Sequence, residues 1–283
     1  MTSNSMRSRP FHQVDVFSGE PYKGNPLAVV VDAEGLSSQA MQGFANWTNL
    51  SETTFLLPAT HPDADYRVRI FTGSEEFPFA GHPTLGSAHT WLEAGGVPKT
   101  DGLLVQECGA GLVRVKHDAG RLAFAAPPLT RFGPVGEEVR AQLMAGLQLA
   151  DGALLDASWL VNGPRWIGVL LGSADDVLAI EPDLAALGEL NVGVIGPHKE
   201  GAGVDFEVRT FFPGDAMIED PVTGSFNAGA AQWLIGSGRA PTEYVAAQGT
   251  VLGRAGRIHV RAEGDDIWIG GESTTCIQGT VVL

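Results

Sequence analysis

The sequence predicts an α+β protein of two similar lobes, in which each lobe wraps a sheet around one helix. Three observations support this prediction. The chain of 283 residues repeats part of its sequence at about half its length. Many short segments alternate apolar and polar residues, which is typical of strands. Two longer segments are apolar on nearly all sides, which is typical of buried helices.

The repeat places two polar turns at equivalent positions of the two halves. Pro83 and Pro221 lie 138 positions apart, and the same interval separates further glycine, serine and proline pairs. A repeat at half the chain length predicts two lobes with a site between them, because only there can both turns meet one ligand. We expect an N-terminal lobe over residues 1–126 and a C-terminal lobe over residues 127–270. We leave open to which lobe the strand near 271–283 belongs, since it could return to the first lobe.

Short segments bounded by glycine or aspartate predict the strands of both lobes. Their lengths are those of ordinary strands, and their apolar residues alternate with polar ones. The strand candidates are residues 14–17, 27–31, 53–57, 67–71, 112–116 and 121–124 in the first half, and 166–171, 205–211, 244–247, 257–261 and 266–269 in the second.

Each half also contains one strongly predicted helix, at residues 84–93 and 222–235. Each has a proline at its start and a glycine at its end, which is the asymmetry expected of helix ends. Both are apolar nearly all round, so we expect each to be wrapped by its own sheet. Further helices are predicted over 38–48 and 137–149. The stretch 125–136, rich in proline and glycine, predicts the connection between the lobes.

Charge and hydropathy favour a cytoplasmic enzyme over a protein that binds nucleic acid or membranes. The formal net charge is −15, and the Lys and Arg residues form no cluster of the kind that binds phosphates or anionic lipids. No apolar run approaches the roughly 18 residues that a membrane span needs. The first ten residues are polar and basic without an apolar stretch behind them, so we expect a frayed N-terminus rather than a signal peptide.

Neither a disulfide framework nor a metal site is predicted. Cys108 and Cys276 are too few for a framework and lie in apolar, strand-like contexts, so we expect buried free thiols. His82 and His89 are seven positions apart, and no Cys or His pair has a spacing typical of zinc ligands.

The two helix-opening turns carry polar residues that suit a carboxylate-binding site. A helix N-terminus presents unpaired N–H groups and a partial positive charge, which stabilises an exposed anion by about 0.3 to 1 kcal/mol. Two such termini facing one cleft would hold a small carboxylate without an arginine. The alternative is that Asp220 and Ser225 only cap their helix and that Thr84 caps its own. Against this alternative, a polar residue directly precedes the proline in each copy, His82 in the first and Asp220 in the second. Helix capping alone does not require these two side chains.

Glu52 is the candidate proton-transfer residue. It lies between a predicted helix and the apolar strand 53–57. We expect this poorly hydrated position to raise the pKa of its carboxyl group towards the neutral range, where a general base works best. The alternative is an ordinary surface carboxylate or a capping partner.

Four motifs in the same order along the chain resemble the phenazine-biosynthesis PhzF-like family. They are Gly-Asn-Pro at 24–26, Ser-Glu-Thr at 51–53, the run 79–84 ending in Gly-His-Pro-Thr, and Glu-Asp-Pro-Val-Thr-Gly-Ser at 219–225. The resemblance covers essentially the whole chain from residue 11 onward. It implies the diaminopimelate-epimerase fold, with two pseudo-symmetric lobes, each a curved, mostly antiparallel sheet or barrel around a central helix. It also implies a homodimer that needs neither metal nor organic cofactor.

The same resemblance implies the chemistry. Glu52 matches the family's acid/base glutamate, and His82 and Asp220 match polar residues that hydrogen-bond the substrate and help relay protons. The implied reaction is isomerisation of a small carboxylate-bearing metabolite, in which Glu52 takes a proton from one carbon and returns it to another. The substrate-binding residues implied at the two helix-opening turns are Gly81, Thr84, Gly224 and Ser225.

The sequence excludes one branch of this fold and leaves two alternatives open. Thiol-type epimerases and racemases need a cysteine at each helix-opening turn, and neither turn contains one. The alternatives are a non-catalytic protein that binds small carboxylates, and an epimerase that uses a non-thiol base. Retention of Glu52 together with His82 and Asp220 favours an enzyme, because a binding protein has no need of a general base.

Two positions depart from the usual family pattern. Gly73 stands where a proline is common, and Phe226 follows Ser225 where a small residue is frequent. Phe226 either narrows the substrate pocket or packs inside its lobe.

Overall fold

The computed structural model describes residues 6–118, 120–213 and 218–283. It divides the chain into two compact units. Unit 1 comprises the described residues through Ala125 together with Gly270–Leu283, and unit 2 comprises those of Ala126–Ile269. None of the described helices is long and apolar enough to cross a membrane.

The described residues form strands and helices of ordinary length. The strands are β1 (Ser8–Val16), β2 (Asn25–Val30), β3 (Thr53–Leu57), β4 (Tyr66–Phe71), β5 (Glu76–Phe77), β6 (Leu103–Cys108), β7 (Gly111–Asp118), β8 (Arg121–Ala125), β9 (Arg131–Pro134), β10 (Asp156–Val161), β11 (Arg165–Leu170), β12 (Asn191–Pro197), β13 (Phe206–Phe211), β14 (Glu243–Gln248), β15 (Gly256–Glu263), β16 (Asp266–Gly271) and β17 (Ser273–Val282). The helices are α1 (Ser38–Thr48), α2 (Gly81–Glu93), α3 (Glu137–Gly146), α4 (Ala174–Leu178), α5 (Leu184–Leu187) and α6 (Gly224–Gly236), with a 3₁₀ turn at Thr250–Leu252.

In unit 1 the strands follow the order β17-β1-β2-β3-β4-β6-β7-β8. The pairs β2–β3 and β4–β6 are parallel and the remaining neighbours are antiparallel. Helix α2 contacts seven of these strands and is buried over most of its length, so it forms the centre of the unit. Gly86 allows the close approach, because a Cβ atom there would lie 2.5 Å from a Leu27 methyl group. Helix α1 packs on β3 and β4.

Unit 2 repeats this pattern. Its strands follow the order β9-β10-β11-β12-β13-β14-β15, and again two pairs are parallel, β11–β12 and β13–β14. Helix α6 is almost entirely buried and contacts β10, β11 and β15. Helix α4 packs on β12 and β13, and α3 contacts α5. The α+β class with a largely antiparallel sheet around a central helix in each unit is therefore confirmed.

Several local predictions need correction. Helices α2 and α6 begin at Gly81 and Gly224 rather than at residues 84 and 222. The stretch predicted as a connection contains strand β9. The frayed N-terminus is wrong for residues 7–10, because Arg7 exchanges two backbone hydrogen bonds with Leu283, of 2.8 and 3.1 Å, and β1 pairs with β17; residues 1–5 lie outside the described part. Both cysteines are free thiols as predicted, but each is half-buried rather than buried.

Candidate active site

Glu52 lies in the short connection between α1 and β3 of unit 1. Helix α1 ends at Asn49, whose left-handed backbone (φ 55°, ψ 35°) is a common helix terminator. The connection is fixed on both sides, because the hydroxyl groups of Thr48 and Thr53 are hydrogen-bonded at 2.9 Å. The Glu52 side chain is only 15% exposed. Its carboxylate is therefore largely removed from water, as the sequence predicted.

His82 is the second residue of α2, and its ring meets Glu52. The Nδ1 atom of His82 lies 3.5 Å from Oε2 of Glu52, and the His82 side chain is 5% exposed. Burial lowers the pKa of His82 to about 3, although a backbone hydrogen bond at Pro26 acts in the opposite direction. The imidazole is therefore neutral near pH 7, and its contact with the Glu52 carboxyl group is not an ion pair. Within the described part of the chain, the buried Nε2 atom of His82 has no hydrogen-bond partner.

The N-terminus of α2 is not capped by a side chain. Its N-cap residue, Ala80, has an extended backbone and makes no side-chain cap hydrogen bond. The alternative that Thr84 caps the helix is wrong, because the Thr84 hydroxyl instead donates to the Ala80 carbonyl at 2.9 Å. Gly81 and Pro83 are buried in the first turn. Pro83 fits there because an N–H group in the first turn has no intrahelical partner to lose.

A buried polar network behind α2 was not predicted from the sequence. The Gln106 amide on β6 donates to the Thr84 hydroxyl at 2.9 Å and accepts from the Tyr66 hydroxyl at 3.1 Å. Ser87 donates to Thr54 at 2.9 Å on the β3 side of the helix. The available signal was a glutamine in a mostly apolar strand, and the alternation of apolar and polar residues would predict that such a glutamine lies on the surface.

In unit 2, Asp220 is held near the N-terminus of α6. The preceding residue, Glu219, accepts two hydrogen bonds from the Arg209 guanidinium, at 2.9 and 2.8 Å, and both side chains are largely buried. The Asp220 amide donates to the Thr210 carbonyl at 3.3 Å. The Asp220 carboxylate accepts from the Thr223 hydroxyl at 2.5 Å.

Ser225 lies in the first turn of α6 and is half-buried. Its Oγ atom accepts a hydrogen bond from the Trp166 indole at 3.0 Å, and its carbonyl accepts from the Asn162 amide at 2.8 Å. The N-cap residue of α6 is Thr223, which makes no side-chain cap hydrogen bond. Neither Asp220 nor Ser225 is therefore the N-cap residue of α6.

Gln248 is a second buried residue that the sequence did not single out. It is fully buried at the end of β14, and its amide contacts Thr210, Asp220, Thr223 and Asn227. It occupies the place in unit 2 that Gln106 has in unit 1, on the strand that pairs in parallel with the middle of the sheet.

Phe226 packs inside unit 2. Its side chain is 0% exposed and meets the Trp166 ring edge-to-face, with centroids 5.6 Å apart. Gly193 leaves room for it, since a Cβ atom at that position would lie 2.1 Å from the Phe226 ring. These contacts support the packing alternative for this departure from the family pattern. Gly73 accepts a hydrogen bond from the Asn46 amide at 2.9 Å, and nothing in the structure explains the loss of proline there.

The structure thus brings Glu52 and His82 together with Gly81 and Thr84 in unit 1, and groups Asp220 with Gly224 and Ser225 at α6 in unit 2. Each group combines titratable or hydroxyl side chains with a helix N-terminus. Such a group can hold an anion and move a proton. Among the described residues, no group of three His, Cys, Asp or Glu side chains is placed to bind a metal ion.

Comparison with known proteins places this arrangement in one family. Residues 14–281 match the family model described as phenazine biosynthesis-like protein. The chain is 37% identical to antisense-enhancing sequence 1 of Schizosaccharomyces pombe, over 97% of this chain and 99% of that protein. It is 34% identical to trans-2,3-dihydro-3-hydroxyanthranilate isomerase of Pseudomonas aeruginosa, over 89% of each chain.

A solved structure agrees with this assignment. The crystal structure of a PhzF-family phenazine biosynthesis protein from Enterococcus faecalis has a TM-score of 0.81 and 29% sequence identity, covering 98% of this chain and all of that one. The chain therefore belongs to the phenazine biosynthesis-like protein family and is an enzyme of the isomerase class.

Proposed function

We propose that this enzyme isomerises a small carboxylate-bearing metabolite without a cofactor, and that Glu52 transfers the proton. The observation that carries this proposal is the contact between the Glu52 carboxyl group and the neutral imidazole of His82, 3.5 Å apart and both largely buried. A carboxylate with little water around it accepts a proton from carbon more readily than a hydrated one. General acid/base catalysis of this kind typically accelerates a reaction by about 100-fold to 10,000-fold.

His82 acts in this proposal as a neutral hydrogen-bond partner. Because its pKa is lowered to about 3, the ring is uncharged at neutral pH and forms no ion pair with Glu52. A neutral imidazole has one N–H donor and one acceptor nitrogen, so it can donate to one oxygen while accepting from another group. This lets His82 help Glu52 return the proton to a second carbon, and Asp220 is the further proton-handling residue.

The substrate carboxylate binds, in this proposal, at helix N-termini. Neither Ala80 nor Thr223 caps its helix with a side chain, which leaves the opening turns at Gly81 and Gly224 for an anion. The Ser225 hydroxyl adds a donor, because its oxygen already accepts from Trp166 and its own hydrogen can be given to a carboxylate.

The relative from Pseudomonas aeruginosa is named for trans-2,3-dihydro-3-hydroxyanthranilate, and this compound is the first probe. We propose a substrate of the same chemical class, a small unsaturated or amino-substituted carboxylic acid. We further propose that the enzyme acts as a homodimer in the cytoplasm.

The test combines exchange with binding. The full-length protein is incubated in heavy water with trans-2,3-dihydro-3-hydroxyanthranilate and with a panel of small unsaturated and amino acids, and deuterium at carbon is followed by NMR. Catalysed uptake or isomerisation of any panel member supports the isomerase. Calorimetric binding of panel members with no exchange above the protein-free rate overturns the proposal.

A further inference from the structure

A chain of buried hydroxyl groups ends at Asp220. Thr210 on β13, Thr223 before α6 and Gln248 on β14 contribute side chains that are at most 5% exposed. The Thr210 and Thr223 hydroxyl oxygens lie 2.7 Å apart, and the Thr223 hydroxyl lies 2.5 Å from Oδ2 of Asp220. The Gln248 amide contacts both threonines. These four residues form what we call the threonine relay.

The amide orientation of Gln248 is fixed by two donors. Its Oε1 atom accepts from the Thr223 backbone N–H and from the Asn227 side chain, each at 3.0 Å. Since both partners can only donate at these atoms, the opposite end of the amide must be the NH₂ group. That group lies 3.0 Å from the Thr210 hydroxyl, 3.0 Å from the Thr223 hydroxyl and 3.1 Å from the Asp220 carbonyl, and its two hydrogens are shared among these three acceptors.

The direction of the remaining hydrogen bonds follows from this orientation. An ionised carboxylate has no hydrogen to give, so the Thr223 hydroxyl must donate to Asp220. Having used its single hydrogen, Thr223 accepts from Thr210, which in turn accepts from Gln248. The hydrogen bonds that run through the two threonine hydroxyl groups therefore all point towards the Asp220 carboxylate. Hydrogen bonds aligned in one direction in a buried site strengthen one another.

Unit 1 contains a related arrangement with a different end. There the Gln106 amide donates to Thr84, but the Thr84 hydroxyl donates to the backbone carbonyl of Ala80 and not to a carboxylate. A shared glutamine–threonine contact thus holds the start of each central helix. Only in unit 2 does it end at an acidic side chain.

We propose that Thr223 is a positioning residue for Asp220, which holds the carboxylate in one orientation and stabilises its ionised form. This inference rests on the proposed function, since it is that function which gives Asp220 a role in proton transfer. A charged group that accepts an aligned hydrogen bond is both oriented and stabilised as an anion. Thr210 and Gln248 act through Thr223 by fixing where its hydrogen points.

The experiment compares two substitutions at one position. Thr223→Val keeps the shape of the side chain and removes the hydroxyl, whereas Thr223→Ser keeps the hydroxyl. The control is Thr242→Val at an exposed threonine of unit 2. Each full-length protein is labelled with ¹³C at aspartate carboxyl carbons, and the Asp220 signal is assigned by its loss in Asp220→Asn. The signal is then followed as a function of pH in the free protein.

The Asp220 carboxylate is expected to titrate about one pH unit or more higher in Thr223→Val than in the wild type, because one charge-assisted hydrogen bond is lost. Thr223→Ser and the control are expected to titrate as the wild type does. Among the described residues, the charged side chains of this region include Arg209 and Glu219, which pair with each other, and Arg254, which lies beside Gly249. The variants leave all of them in place, so the difference between valine and serine isolates the hydroxyl.

Two results would overturn the inference: an unchanged Asp220 titration in Thr223→Val, or equal shifts in the valine and serine variants. Turnover separates this failure from failure of the proposed function. If the inference is right, Thr223→Val lowers kcat about tenfold or more with a smaller change in KM, and Thr223→Ser restores it. If Asp220→Asn leaves turnover unchanged, the proposed role of Asp220 fails, while the titration still decides whether Thr223 stabilises its carboxylate.

Discussion

The Nδ1 atom of His82 lies 3.5 Å from the Oε2 atom of Glu52, and the ring is held neutral by burial at the start of α2. Two residues that are 30 positions apart in sequence meet because α1 ends at Asn49 and the chain enters β3 immediately afterwards. The pairing joins the proposed proton acceptor to a neutral imidazole at a helix N-terminus whose N-cap residue, Ala80, makes no side-chain cap hydrogen bond.

The lowered pKa of His82 predicts a dependence of stability on pH. In the unfolded chain a histidine takes up a proton near pH 6.5, whereas His82 in the folded protein does so at about 3. Between these values the unfolded state binds more protons, so the free energy of unfolding falls as the pH is lowered from 6.5 towards 3. His82→Asn is expected to lessen this fall, by up to about 1.4 kcal/mol per pH unit within the window.

The measurement is urea denaturation at several pH values. The control is His61→Asn, a substitution at a histidine whose side chain is 46% exposed, and it is expected to keep the wild-type pH dependence. Equal pH dependence in His82→Asn and the wild type would show that His82 is not held neutral by the fold.

Ser225→Ala is expected to weaken binding of the substrate carboxylate more than it slows conversion. The substitution removes a hydroxyl donor, and a hydrogen bond to a charged group is worth about 1.5 to 3 kcal/mol, so the Kd should rise about tenfold or more. The matched control is Ser237→Ala, since the Ser237 hydroxyl donates to Leu234 at the opposite end of the same helix at 3.3 Å. Calorimetric titration with a panel member that binds the wild type measures the Kd of both variants. An unchanged Kd for Ser225→Ala would remove this serine from the carboxylate site.

Phe226→Ala is expected to destabilise unit 2 by about 3 to 5 kcal/mol, because it leaves a cavity between the Trp166 ring and the β12 backbone at Gly193. Phe132→Ala is the control, since Phe132 is 59% exposed and its replacement should change the free energy of unfolding little. Urea denaturation followed by circular dichroism gives the difference. A loss of stability below about 1 kcal/mol for Phe226→Ala would contradict the packing assignment and favour the alternative that Phe226 narrows the substrate pocket.

The sequence predicted the fold class and the central helix of each unit well. Both the repeat and the two helices that are apolar on nearly all sides are visible in the sequence without knowledge of the tertiary contacts. The predicted helix starts differ from the observed ones by three residues in α2 and two in α6. The prediction begins α2 directly after Pro83, but a proline is tolerated anywhere in the first turn, and Pro83 is the third residue of α2. Strand β9 was missed because its residues include glycine and proline, which usually mark a turn.

The side chains that support the candidate site were harder to predict than its titratable residues. Glu52, His82 and Asp220 stand in motifs, whereas Gln106 and Gln248 stand in strands whose other residues are mostly apolar or alternate. A glutamine in such a strand is ordinarily a surface residue, and only the folded sheet shows that both face a helix N-terminus and are fully buried. Pairing between residues distant in sequence, as between Gln248 and Thr223, leaves no local signal.

The role of Glu52 is tested most directly by measuring deuterium uptake from heavy water into the substrate by Glu52→Gln, with Glu75→Gln as the control at an exposed glutamate of the same unit. The glutamine variant keeps the shape of the side chain but cannot accept the proton. We expect uptake to fall by at least about 100-fold in Glu52→Gln, with binding of the substrate and the unfolding midpoint little changed, and to stay at the wild-type rate in Glu75→Gln. Equal uptake in Glu52→Gln and the wild type would contradict the account.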